Sequence, residues 1–132
     1  MTPRLTPYLA YADAPKAIDF LRRAFGFEER MRYPMPDGSI GHAELTYGDS
    51  VLMLASASKG FGFTSPRDLP SVHAQTHCRV DDVAAHCARA REAGATIVAE
   101  PVFDHGVHMY RALDLEGHRW IFAEEERGQM RE

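Results

Sequence analysis

The stretch 114-DLEGHRWIF-122 reads as a tight polar turn feeding a short apolar strand. Upstream, 45-LTYGDSVLML-54 has the same build: strand, glycine, polar pair, strand. Two such hairpins in one short chain point to an internal duplication. Setting 8-YLAYADAPKAIDFLRRA-24 above 77-HCRVDDVAAHCARAREA-93, at an offset of 69 residues, places Asp13 over Asp82 and Ala24 over Ala93. Ala14, Ile18, Leu21 and Phe25 in the first segment, and Val83, Cys87 and Ala90 in the second, follow helical spacing and coincide under the shift. The same offset lays Ala43 over Ala112 and Gly48 over Gly117, so the repeat runs through both halves.

Each half reads as strand, helix, then three strands. The first module covers residues 5–56, with its first strand at 5–11. Asp13 caps the helix, and Ala14-Pro15 suits a first turn, where a missing N–H costs nothing. Gly26 stops it. Phe27, Glu29, Met31 and Tyr33 alternate with Glu28, Arg30 and Arg32, as in a half-buried strand. A turn at 36-PDG-38 leads to a hairpin of strands 39–47 and 50–56. The second module, 73–125, follows suit: strand 73–80, helix 82–93, strand 95–102, loop 103–107, strand 108–114 and strand 118–125. Residues 57–72, rich in Gly, Ser and Pro, form a linker. The expected architecture is one α+β domain over 1–132, made of two βαβββ modules. Helices cover one face of each sheet, and the two bare faces enclose a half-open eight-stranded cup. Periodicity leaves open whether one chain or a dimer closes that cup.

The bulk composition narrows the function classes. The chain has 132 residues, 45% apolar and 26% charged, with a net charge of −4. Its cations are scattered and outnumbered, which argues against a nucleic-acid surface. The longest strongly apolar run, 51-VLMLA-55, is too short to span a bilayer. The start, MTPRLTPYL, carries no apolar signal core, and two cysteines fit a reducing compartment, so a cytoplasmic protein is expected. Cys78 faces the second helix and Cys87 lies on its inner side, packed as small apolar groups.

Four segments in order, YLAYADAPKAIDFLRRAFGFEE, PDGSIGHAELTYGDSVLML, RVDDVAAHCARAREAGATIV and LDLEGHRWIF, resemble the vicinal oxygen chelate superfamily, the glyoxalase, bleomycin-resistance and extradiol-dioxygenase group. The resemblance covers nearly the whole chain. It implies paired βαβββ modules around a cup, in homodimers, and a divalent metal held by His or Glu on the first and last strand of each module. Carried over, those positions are Thr6, Leu52 or Met53, Gln75 and Ile121. Zinc, nickel or iron sites want imidazole, carboxylate or thiolate donors, and these residues supply none. No metal cofactor is therefore expected. An off-pattern site from His42, Glu44, His77 and His108 is the alternative, against a reading of these as ordinary polar sheet residues.

The cup then reads as apolar (Leu52, Met53, Ile121) with a few polar groups: Thr6, Tyr8, His42, Glu44, Gln75 and His77. His86 reads as a solvated helix residue, His118 as part of the turn, and Trp120 as core. Arg111 has two readings, a pair with an anionic ligand group or with Glu44 across the cup. Phe61 and Phe63 in 60-GFGFTSP-66 read as a lid or as a seal at the core edge or dimer contact. Three functions follow. The first is binding of a small organic molecule, of sequestration or resistance type, with the net charge mildly favouring a cationic ligand. The second is a metal-independent lyase or isomerase using His77 and Glu44 for proton transfer. The third is a metal-dependent glyoxalase or dioxygenase with a shifted site.

Overall fold

The computed structural model describes residues 4–124. The end of the last expected strand, at 125, and the outer limits of the expected domain lie outside the described residues. The first module comprises β1 (Tyr8–Tyr11), α1 (Ala14–Phe25), β2 (Glu28–Pro34), β3 (Ile40–Tyr47) and β4 (Ser50–Ser56). The second comprises β5 (Gln75–Arg79), α2 (Val83–Glu92), β6 (Thr96–Asp104), β7 (Val107–Leu113) and β8 (Arg119–Ala123). The sheets have matching orders, β1-β4-β3-β2 and β5-β8-β7-β6, with β1 parallel to β4 and β5 parallel to β8. The repeat extends to the caps. Asp13 Oδ1 accepts from the Lys16 N–H at 3.1 Å, and Asp82 Oδ1 from the Ala85 N–H at 3.0 Å, the same bond 69 residues on.

Several boundaries differ from the expectation for local reasons. β1 begins at Tyr8, leaving Thr6 outside the strand, because Pro7 has no N–H to give the ladder; its carbonyl still accepts from the Met53 N–H. The expected loop 103–107 shrinks to His105 and Gly106, at φ 54° and 78°, the left-handed pair that closes a two-residue hairpin. β2 is an edge strand with most residues exposed, not half-buried, and its pairing slips between Glu29 and Met31.

The two modules meet through their helices. α1 packs on α2, and the helix-covered faces of both sheets share one core that includes Leu21, Phe25, Leu45, Leu54, Cys87, Trp120 and Phe122. Phe25, from the first module, sits among second-module rings, 4.7 Å from Phe122 and 5.4 Å from Trp120 between centroids. The bare sheet faces therefore lie on the far sides of this core, and one chain does not set them against each other.

His86 is in this core rather than in solvent, as its spacing from Val83, Cys87 and Ala90 on α2 explains. Its Nε2 lies 2.9 Å from the Phe25 carbonyl, which only accepts, so Nε2 carries the proton and Nδ1 accepts from the Tyr110 hydroxyl at 2.6 Å. Burial lowers its pKa, against the opposing pull of the Phe25 carbonyl.

A second tie comes from the 114–117 turn, whose two carboxylates are buried. Asp114 Oδ2 accepts from the Tyr11 hydroxyl at 2.6 Å and the Trp120 indole at 3.1 Å; its Oδ1 accepts from the N–H groups of Glu116 and His118. Burial pushes the Asp114 carboxyl up, and the Tyr11 bond works against it. Burial first, then the Asp114 charge, holds the Tyr11 phenol well above its ordinary range, so it stays a donor. Glu116 reaches into the first module. Its oxygens accept from the Ala12 N–H at 2.6 Å, the Asp13 N–H at 2.8 Å and the Ser65 hydroxyl. His118 adds a bond to the Ala10 carbonyl at 2.8 Å.

Two outcomes follow. Glu116→Ala should lower unfolding free energy by about 2–3 kcal/mol, the scale of hydrogen bonds to a charged group, and Glu116→Gln by less; an unchanged urea midpoint would refute the tie. His86 binds its proton less readily folded than unfolded. Its contribution to stability is thus present above the ordinary imidazole value near 6.5 and lost as pH falls through the lower folded value. Denaturation midpoints measured down from neutral pH should fall more steeply for the wild type than for His86→Gln.

Candidate functional site

The bare face of the first sheet can be read from its register. Tyr8 pairs with Met53, Met53 with Glu44, and Glu44 with Met31, while His42 pairs with Tyr33. Alternation puts these side chains on one face, opposite the covered Leu45, Leu52 and Leu54. Of Leu52 and Met53, Met53 is on the bare face and Leu52 is in the core.

That face carries a continuous chain of hydrogen bonds. The Tyr8 hydroxyl lies 2.7 Å from His42 Nδ1, and His42 Nε2 lies 3.0 Å from Glu44 Oε2. Glu44 Oε1 accepts from Arg30 Nε at 2.9 Å and Nη2 at 2.5 Å. His42 first, then Arg30, holds the Glu44 carboxyl below the usual range. An ionised carboxylate only accepts, so His42 donates from Nε2 and takes the Tyr8 proton at Nδ1. A carboxylate orients an imidazole that in turn faces a hydroxyl, the logic by which a weak acid is made ready to give or take a proton. Phe63, from the linker, packs edge-on against Tyr8 at 5.8 Å, whereas Phe61 is exposed.

The bare face of the second sheet has another character. His77 pairs with Ile121, and Ile121 with Arg111. One step along, Gln75 pairs with Arg119, whose Nε donates to Gln75 Oε1 at 3.2 Å. Arg79, Ala123 and Met109 continue the face. Ile121, only 8% exposed, lies in the middle of this face, ringed by nitrogen-bearing side chains. A cleft of about 910 Å³ opens at the module seam, with Tyr47, Val51, Thr76, His77 and Asp81 in its walls. Another groove of about 890 Å³ lies at the end of α1, and three of its four guanidinium groups are engaged: Arg23 with Asp19, Arg30 with Glu44, and Arg89 with the Arg22 and Arg23 carbonyls.

His77 and Glu44, expected to act together, sit on separate sheets whose bare faces do not meet in one chain. Thr6 precedes its strand, and Gln75 lies one step from the Ile121 level, which belongs to His77. Glu44 is tied to Arg30 and His42, not to Arg111. Arg30 escaped the sequence reading because strict alternation ignores the slip in β2 that brings it beside Glu44. At matching positions of the two faces stand Tyr8 with Met53, and His77 with Ile121. A phenol, a thioether, one imidazole and an aliphatic chain do not fit a divalent-ion site. The off-pattern set is also dispersed: His108 bonds Glu124 and stacks on Phe103, away from His42 and Glu44. Among the described residues, no group of three or more His, Cys, Asp or Glu is placed to hold an ion. Both thiols are free, and burial raises both, Cys78 to about 11, as expected of inert core groups.

Comparison with known proteins agrees with this architecture. An uncharacterized protein of Mycobacterium bovis, Mb0911c, is 34% identical over 126 residues, covering 92% of this chain and 83% of the relative. The crystal structure of TioX from Micromonospora sp. ML1 superposes with a TM-score of 0.73 at 31% identity, covering 92% of this chain and 98% of that one. The fosfomycin resistance protein FosX from Listeria monocytogenes shares the fold at a TM-score of 0.71 and 11% identity, covering 100% and 98%. No helix of the described residues is long and apolar enough to cross a membrane. The model of the Glyoxalase/Bleomycin resistance protein/Dioxygenase superfamily matches residues 4–122, and the chain belongs to that superfamily.

Proposed function

We propose that the protein binds a small organic molecule in a cup built by two copies, the bare first-module face of one against the bare second-module face of the other. One observation carries this reading. The helix-covered faces are used up in a single core, which leaves two bare sheet faces on its far sides. Those faces present Tyr8, Met31 and Tyr33 on one sheet and Val102 on the other, each more than a third exposed. Apolar and aromatic surface of this size is what a partner face or a ligand covers. Within a superfamily whose description spans enzymes and resistance proteins, the donor set supports a role that requires no metal. The protein should sediment as a dimer, and ligands found by a thermal-shift screen should lose their effect in Ile121→Glu or Met53→Glu. A monomer at micromolar concentration with no ligand response would refute the reading.

The Tyr8–His42–Glu44 chain favours a second reading, a metal-independent enzyme of lyase or isomerase type. It moves proton transfer from the His77 and Glu44 pair to Tyr8, with His42 as the group that holds its proton and Glu44 as the orienting carboxylate. Tyr8→Phe separates the two. Catalysis predicts a loss in turnover of about 10²–10⁴ with affinity nearly kept. Simple binding predicts only about a tenfold change in affinity, one hydrogen bond's worth, and no turnover to lose.

A further inference from the structure

The two bare faces differ in how their charges are satisfied. On the first, Glu44 is matched by Arg30 and His42. On the second, among the described residues, Arg111 has no carboxylate partner, and Arg119 bonds only the neutral Gln75 amide. Both flank Ile121: Arg111 directly across on β7, Arg119 two residues back on β8 and so on the same face. His77 closes the other side of Ile121. Among the described residues, the register places one acidic residue on this face, Asp104, at the far end of β6 opposite Val107, and its partner is His105. Glu100 is engaged with Arg91 on α2, and Glu124 with the Val83 N–H and His108.

We infer that the ligand of the cup is an organic anion with an apolar body, its anionic group held by Arg111 and Arg119 and its body lying on the half-buried Met109 and Leu113 beside Ile121. The inference rests on the cup reading and adds the ligand's class. Guanidinium forks suit planar or tetrahedral oxyanions, and an apolar floor between them suits the rest of the molecule. A facing Glu44 is a poorer partner than a free anion, since three of its acceptor positions are already taken by Arg30 and His42. The net charge of −4 favours a cationic ligand only at long range, whereas contact charges at a few ångströms escape screening over about 8 Å. The local arginines therefore outweigh the chain's overall sign.

Fluorescence titration of the intact protein with 8-anilinonaphthalene-1-sulfonate and its uncharged counterpart N-phenyl-1-naphthylamine tests this. The sulfonate should bind at one saturable site per chain, at least about tenfold tighter than the neutral probe. That advantage should vanish in Arg111→Met and Arg119→Met, persist in Arg111→Lys, and shrink with added salt. Circular dichroism identifies any variant that fails to fold, and Arg111→Lys then carries the comparison with the wild type. Equal affinity for the two probes, or an advantage indifferent to both arginines, overturns the anionic class while leaving the cup intact. Binding of neither probe, or binding of both undisturbed by Ile121→Glu, overturns the cup and the anion together.

Discussion

The Glu116 carboxylate reaches from the last hairpin of one module to the backbone that starts the other module's helix, and the arrangement of the chain depends on that reach. Its oxygens satisfy two N–H groups ahead of α1 and a linker hydroxyl. Asp114, two residues earlier, binds the Tyr11 hydroxyl at the end of β1. A buried carboxylate is costly unless donors surround it, so this turn is stable only with the first module docked against it. Docking brings α1 onto α2, and Phe25 among Trp120 and Phe122. With the helices committed to each other, the bare faces are left outward. A cup of two facing sheets then requires a second chain.

The repeat, the helix caps and the strand order were legible because they are local. Asp13 and Asp82 announce helix starts by chemistry that acts within three residues. Hydrophobic period says which face of an element is apolar; it does not say which neighbour covers it. The relation of the modules was therefore open. DLEG read as a polar turn because the partners of its carboxylates are about a hundred residues away, at Tyr11, Ala12 and Asp13. His86 could have been placed from sequence, since it shares the stripe of Val83, Cys87 and Ala90. Its residue type argued for solvent, yet its spacing argued for burial, and a hydroxyl and a carbonyl made burial possible.

The candidate site shows the same division. Tyr8, His42, Glu44, His77 and Arg111 were identifiable as bare-face residues by alternation. Their grouping was not, because it depends on cross-strand register. Register joins His42 to Glu44 and Tyr8, and puts His77 on a separate wall. The aliphatic residue at 121 has a physical consequence beyond failing to coordinate an ion. An aliphatic side chain attracts no cation to that position, and guanidinium groups can stand beside it without the repulsion a bound metal ion would impose.

The duplicated modules also hold their helix starts differently. Under the 69-residue shift, Glu116 corresponds to Tyr47 and Ala12 to Asp81. At one seam a carboxylate meets backbone donors, and the gap is closed. At the other, burial raises the Tyr47 phenol and the nearby Asp81 charge adds to it, two groups without that complementarity, and a cleft of about 910 Å³ remains. The α2 start is held from within its own module, by Glu124 on the Val83 N–H. Both helices carry their own Asp cap, but the first module leans on the second to satisfy the backbone just ahead of its helix, whereas the second does this from within, through Glu124. Duplication supplied two equivalent surfaces, and the asymmetric seams let one become an internal tie while the other stayed open.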